Sequence, residues 1–76
     1  MAKQNKKTES VYRVTELVGT SKKSWEDAAK NAVETASHTL HNLRIAEVTK
    51  LDMKIDSKGK VSGYRARVSL SFKYEH

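Results

Sequence analysis

Residues 64–74 alternate without a break between apolar and polar side chains. Tyr64, Ala66, Val68, Leu70, Phe72 and Tyr74 share one parity, and Arg65, Arg67, Ser69, Ser71 and Lys73 share the other. Side chains on a strand point to opposite faces in turn, so the pattern predicts a long strand with one apolar face. Such a strand has to lie against something, and the chain offers only one amphipathic helix to cover it. A single helix on a small sheet makes a thin core. A chain of 76 residues holds one domain and buries a modest share of its surface.

Small domains usually gain further stability from disulfides, a metal or oligomerisation. There is no cysteine, which removes disulfides and thiolate metal sites from that menu. Subunit contacts are the expected remainder. The lack of cysteine also suits a reducing cytoplasm, the expected compartment. No apolar run approaches the ~20 residues of a membrane span. Residues 1–10, with Lys3, Lys6 and Lys7, have no apolar stretch of the kind a secretory signal needs and read as a disordered basic tail.

Ahead of the long strand the elements are legible in order. Residues 11–18 are rich in β-branched side chains and predict a first strand, which Gly19, Thr20 and Ser21 are expected to end. Ser24 precedes Trp25, Glu26 and Asp27, a near match to a capping box at a helix start. Trp25, Ala28, Ala29, Ala32, Val33, Ala36, Leu40 and Leu43 follow at spacings of three and four, one helical stripe, with Asn42 as its expected stop. Residues 44–56 predict a second strand. Ile45, Glu47, Thr49, Leu51, Met53 and Ile55 share its parity, while Ala46 and Val48 interrupt it on the other. The mixture predicts a bulge, or burial on both faces through a second subunit. Residues 57–60 form a hairpin turn in which Gly59 is free to take positive φ. Residues 61–74 make the last strand, with Gly63 marking a bulge or a close backbone approach. The class is α+β and the order β-α-β-β.

This layout resembles the dodecin family. The matching pieces are residues 11–21 ending Glu-Leu-Val-Gly-Thr-Ser, the Ala-rich helix from Ser24, Ile45-Ala46-Glu47-Val48, and residues 64–72. The likeness defines a dodecin-like domain over residues 11–75. It implies a three-stranded antiparallel sheet wrapped around one helix, and a hollow assembly of twelve subunits. In flavin-binding members a Trp opens the second strand, and paired rings from neighbouring subunits sandwich the flavin. Ile45 stands at that position here, and Arg65 stands where those relatives place a Gln against the flavin edge. An aliphatic side chain offers no π face, and Arg cannot accept a hydrogen bond as Gln does. Flavin is therefore disfavoured, with flavin storage kept as the alternative.

Ser24-Trp25-Glu26 and residues 52–60, Asp-Met-Lys-Ile-Asp-Ser-Lys-Gly-Lys, are similar to a second branch of the family in which calcium is the ligand. Calcium takes six to eight oxygens. Asp52, Asp56 and Glu47 are the candidate donors. Four residues of strand place Asp52 and Asp56 ~13 Å apart, so they cannot share an ion within one chain. A calcium site would need a subunit interface and backbone carbonyls. For both Asp residues the plain alternative is turn chemistry and solubility.

Other chemistries find little support. Trp25 lies on the apolar stripe and reads as a core or interface anchor. His38 and His41 are three apart, a spacing that can share a metal, but only Glu34 lies at a matching turn. There is no Gly-rich phosphate loop and no Cys nucleophile, and Ser69 and Ser71 have no base in register, so no enzyme is expected. The net charge of +6 leaves a basic nucleic-acid-binding domain as a second alternative. Arg65, Arg67 and Lys73 share one strand face, with Arg13 and Arg44 expected nearby. Stacking of single strands needs exposed aromatics on that face, yet Tyr64, Phe72 and Tyr74 have the opposite parity.

Overall fold

The computed structural model describes residues 10–73 and has the order β1 (Tyr12–Ser21), α1 (Trp25–Ala36), β2 (Leu43–Ile55) and β3 (Val61–Lys73). The basic tail, apart from Ser10, and Tyr74 and His76 lie outside the described residues. The three strands form one antiparallel sheet in the order β1-β3-β2. The alternating strand is thus the central one. Ala66, Val68 and Leu70 are buried under α1 together with Ala28, Ala32 and Ala36 of the helix. Leu17, Ala29, Val33, Leu40 and Leu43 pack around them.

The first strand runs three residues further than residues 11–18. Gly19, Thr20 and Ser21 stay paired with Ala66, Arg65 and Tyr64. Gly19 therefore serves close packing, not a turn. A Cβ added there would collide with the Ala28 carbonyl oxygen and come within 2.9 Å of Ala32 Cβ. Gly19 and the alanines at one-turn spacing let the helix backbone settle directly on the sheet.

The helix starts as its sequence predicts. Ser24 is the N-cap, its Oγ accepting from the Asp27 N–H at 3.0 Å, and Glu26 and Asp27 occupy the positive end of the dipole. It is shorter than its stripe. The helix ends at Ala36, and residues 37–39 form turns in which the Thr39 and Leu40 N–H groups both donate to the Ala36 carbonyl. Ser37, His38 and Thr39 are poor helix formers in succession. Leu40 and Leu43 still reach the core, from a loop and from β2. Asn42 does not stop the helix. It takes the left-handed conformation, φ 64°, and turns the chain into β2.

Two further expectations concern irregular backbone, and both are met. Register shifts in β2 fall between Leu43 and Ile45 and between Val48 and Lys50, leaving Arg44 and Thr49 without a Cα partner on β3. Residues that pair directly share a face. The shift at Thr49 therefore brings Ala46 and Val48 onto the same face as Leu51 and Met53, while Ile45 and Glu47 join Lys50 and Asp52 on the other. The third shift sits between Lys54 and Ile55, next to Gly63. At the hairpin, Gly59 has φ 79°, and Asp56 Oδ1 accepts from the N–H groups of Lys58 and Lys60 at 2.9 Å each.

A rank order of stability follows from the glycines. Gly19→Ala is expected to destabilise by at least the ~1–3 kcal/mol of ordinary overpacking, since the obstacle is backbone. Gly59→Ala meets nothing within 4 Å and carries only the cost of a left-handed Ala, about 1–2 kcal/mol. Denaturant midpoints at one fixed protein concentration test the order. A Gly19→Ala protein as stable as the parent would show that the helix does not sit this close.

Candidate functional site

The sheet has two unlike faces. On the helix side, β2 passes beyond the reach of α1, and Val48, Leu51 and Met53 are exposed there at 47, 52 and 45%. Trp25 is the link between helix and β2. Its ring meets Tyr64 edge to face, 5.2 Å between centroids, and its indole N–H donates to the Asp52 carbonyl oxygen at 2.9 Å. Trp25, Glu26, Ala29, Val48 and Leu51 line an open apolar groove beside this bridge. Trp25 is half-buried in one protomer, an anchor with one side still open. The break of parity at Val48 was the only sequence signal for this groove.

The far face, turned away from α1, carries the charged residues. Arg65 sits between Thr20 and Asp52 in the cross-strand register. It makes a two-pronged ion pair with Asp52, Nε to Oδ1 at 2.7 Å and a second nitrogen to Oδ2 at 2.9 Å. The Arg65 hydrogen bonds hold the Asp52 carboxyl below its ordinary value. Partial desolvation opposes this, and the charges of Arg65 and Arg67 reinforce it. Arg67 pairs with Glu16 across to β1 at 3.8 Å. The arginines of the alternating strand are thus matched by carboxylates. Arg13 stands opposite Phe72 and so belongs to the helix side, apart from Arg65 and Arg67. Tyr64 and Phe72 are on the helix side as their parity requires. Tyr12, opposite Lys73, is the aromatic that this face does carry. A continuous basic platform for nucleic acid is not what these pairs build.

The proposed ligand positions are spread along this face. Ile45 pairs with Ser71 and is 59% exposed. It shares the face of Arg65, but the six residue steps from Arg65 to Ser71 separate the two by ~20 Å. Glu47, opposite Ser69, is exposed, and its carboxylate has no hydrogen bond or ion pair with another described residue. Asp52 has both carboxylate oxygens on Arg65, and Asp56 is engaged in the turn. Among the described residues, no three His, Cys, Asp or Glu side chains come together as a metal site. His38 lies in the turn after α1 and His41 in the approach to β2, so they do not share a helical face.

A family model described as dodecin matches residues 11–75. The calcium dodecin of Mycobacterium tuberculosis is 45% identical over 64 residues, 84% of this chain and 89% of the relative. Its crystal structure, described as having a novel calcium-binding site, superposes with a TM-score of 0.76 at 44% identity, covering 87% of this chain and 93% of that one. The dodecin of Streptomyces coelicolor gives a TM-score of 0.83 at 39% identity over 91% of this chain and 97% of that one. The dodecin of Streptomyces davaonensis gives 0.81 at 31% identity over 90% and 98%.

Two outcomes follow from this geometry. Trp25→Ala is expected to cost on the order of 3 kcal/mol, and Trp25→Phe only the ~0.5–1.5 kcal/mol of one hydrogen bond, both read from chemical unfolding. The Asp52 carboxyl is lowered in the folded state. Its contribution is therefore fully present above the ordinary carboxylate pKa of about 4 and lost as pH falls through the lower folded value. Asp52→Asn should flatten the fall of stability across that acid window. Superimposable acid-unfolding profiles for Asp52→Asn and the parent would show that the ion pair is not maintained in solution.

Proposed function

The chain belongs to the dodecin family, and from that premise we propose that it is a non-catalytic, self-assembling protein that binds and stores a small ligand or ion, with calcium favoured over flavin. Ile45 is the observation that carries the choice. An exposed aliphatic side chain stands at the position where flavin-binding relatives place a stacking Trp, and Arg65 is committed to Asp52. The relative at 45% identity is a calcium dodecin. Calcium needs oxygens in number, and the described residues of one protomer do not gather three His, Cys, Asp or Glu side chains at one point. Glu47, whose carboxylate has no partner among the described residues, is the donor best placed to act between protomers, with Asp56 as a second. Asp52 would first have to leave Arg65. Backbone carbonyls of exposed β2 would complete such a shell.

Assembly is supported by what the isolated chain leaves uncovered. Ile45, Val48, Leu51, Met53 and Ile55 of β2 are each between 45 and 67% exposed, on both faces of one strand. Apolar surface of this extent on so small a domain calls for partners. Twelve copies of the 8.6 kDa chain give a particle of about 100 kDa. Among the described residues no helix is long and apolar enough to cross a membrane.

Native mass spectrometry tests assembly and ligand together. The expected result is a particle of about 100 kDa that takes up calcium after chelation, with uptake reduced by Glu47→Gln. A monodisperse monomer at micromolar concentration would end the reading. Titration of riboflavin, followed by quenching of its fluorescence, tests the alternative. Loss of both rings of a sandwich, at ~1–3 kcal/mol each, predicts at least a ~30-fold deficit in affinity. Ile45→Trp with Arg65→Gln should quench more than the parent. Sub-micromolar flavin binding by the parent would restore flavin storage.

A further inference from the structure

At the end of the sheet beyond the Asp52–Arg65 pair, the far face has a gap. Lys54 of β2 pairs with Gly63, the central strand has no side chain there, and the chain leaving β1 supplies Lys22 on the other side. Thr20, Ser21, Lys22, Lys54, Ser62 and Gly63 line an open notch of about 130 Å³. A single water needs about a tenth of that volume. Gly63 is buried beneath it, close to the Ser21 carbonyl and the Lys54 stem.

The charges at this notch are unbalanced. Arg65 and Arg67 each have a carboxylate partner, whereas neither the Lys22 nor the Lys54 side chain has an ion pair or hydrogen bond with another described residue. The neighbouring carboxylate, Asp27, is held by the Ser21 hydroxyl at 2.7 Å and by Asn31 at 3.5 Å. Two lysines whose side chains have no carboxylate partner among the described residues line a notch with a glycine floor, an arrangement suited to an anion. We infer that this notch binds a phosphate group, with Lys22 and Lys54 as its cationic walls and Gly63 as the floor that leaves room for it. A dianion of tetrahedral shape fits two point charges better than a planar carboxylate, which favours a guanidinium fork. The inference stands apart from the calcium reading, because none of Glu47, Asp52 and Asp56 lines the notch.

The test is calorimetric titration of the assembled protein, at constant ionic strength and with chelator present, using inorganic phosphate and separately glycerol 3-phosphate. The two probes distinguish a free ion from a phosphomonoester. Saturable binding of at least one is expected, weakened about tenfold or more by Lys22→Gln, by Lys54→Gln and by Gly63→Ala. The Gly63→Ala methyl would lie 3.5 Å from the Ser21 carbonyl oxygen and 3.8 Å from Lys54 Cδ, ordinary contacts, so it raises the floor between the two lysines without disturbing the fold. Lys58→Gln, at the hairpin tip, removes the same charge and should leave binding unchanged. Three results would each overturn the proposal: no saturable binding of either probe, a loss in Lys58→Gln equal to that in Lys54→Gln, or full affinity in Gly63→Ala.

Discussion

The approach of α1 to the sheet at Gly19 is the constraint on which the rest of the architecture depends. The helix backbone comes so near β1 that no Cβ fits between Gly19 and Ala28. The buried layer is then built from Ala28, Ala32 and Ala36 against Ala66, Val68 and Leu70. Small residues permit the contact and also limit it. A core of this kind removes little apolar area per residue from water, and the stabilisation scales with that area. The helix covers β1 and β3, and β2 is left to other means of support.

Beyond its backbone pairing with β3, those means are local and few. Trp25 reaches across Tyr64 to the backbone of β2, and Leu43 anchors the near end of that strand in the core. Between them, the extra residue at Thr49 turns the strand by one register. A bulge of this kind re-aims side chains that regular pairing would send the other way. Here it gathers Val48, Leu51 and Met53 beside Trp25 and sends Asp52 towards Arg65. The apolar groove and the charged ladder thus come from the same irregularity.

Much of this was legible in the sequence because it is written in periodicity. The central strand announced itself by strict alternation, the helix start by Ser24 and its acidic neighbours, and the bulge by Ala46 and Val48 standing out of step. What was not legible depended on tertiary contact. Gly19 reads equally well as a strand terminator or as a packing residue, and only the helix above it decides. Leu40 and Leu43 continue a helical spacing by coincidence, since both are drawn to the core from outside the helix. The pairing of Arg65 with Asp52 required the register across two strands, and that register moves at each bulge. The dispersal of Glu47, Asp52 and Asp56 along the strand was predictable from rise per residue, whereas the commitment of Asp52 was not.

Trp25 is the chain's single tryptophan, and it sits where helix, central strand and β2 meet. Its emission is therefore a private signal from one joint of the molecule, undiluted by any other indole. Far-ultraviolet circular dichroism, in contrast, averages over every peptide. If β2 lets go of the helix before the helix itself melts, the two optical records will part company, and the gap between them measures how independently the outer strand behaves. A residue recruited to hold a strand in place has thereby made the holding visible.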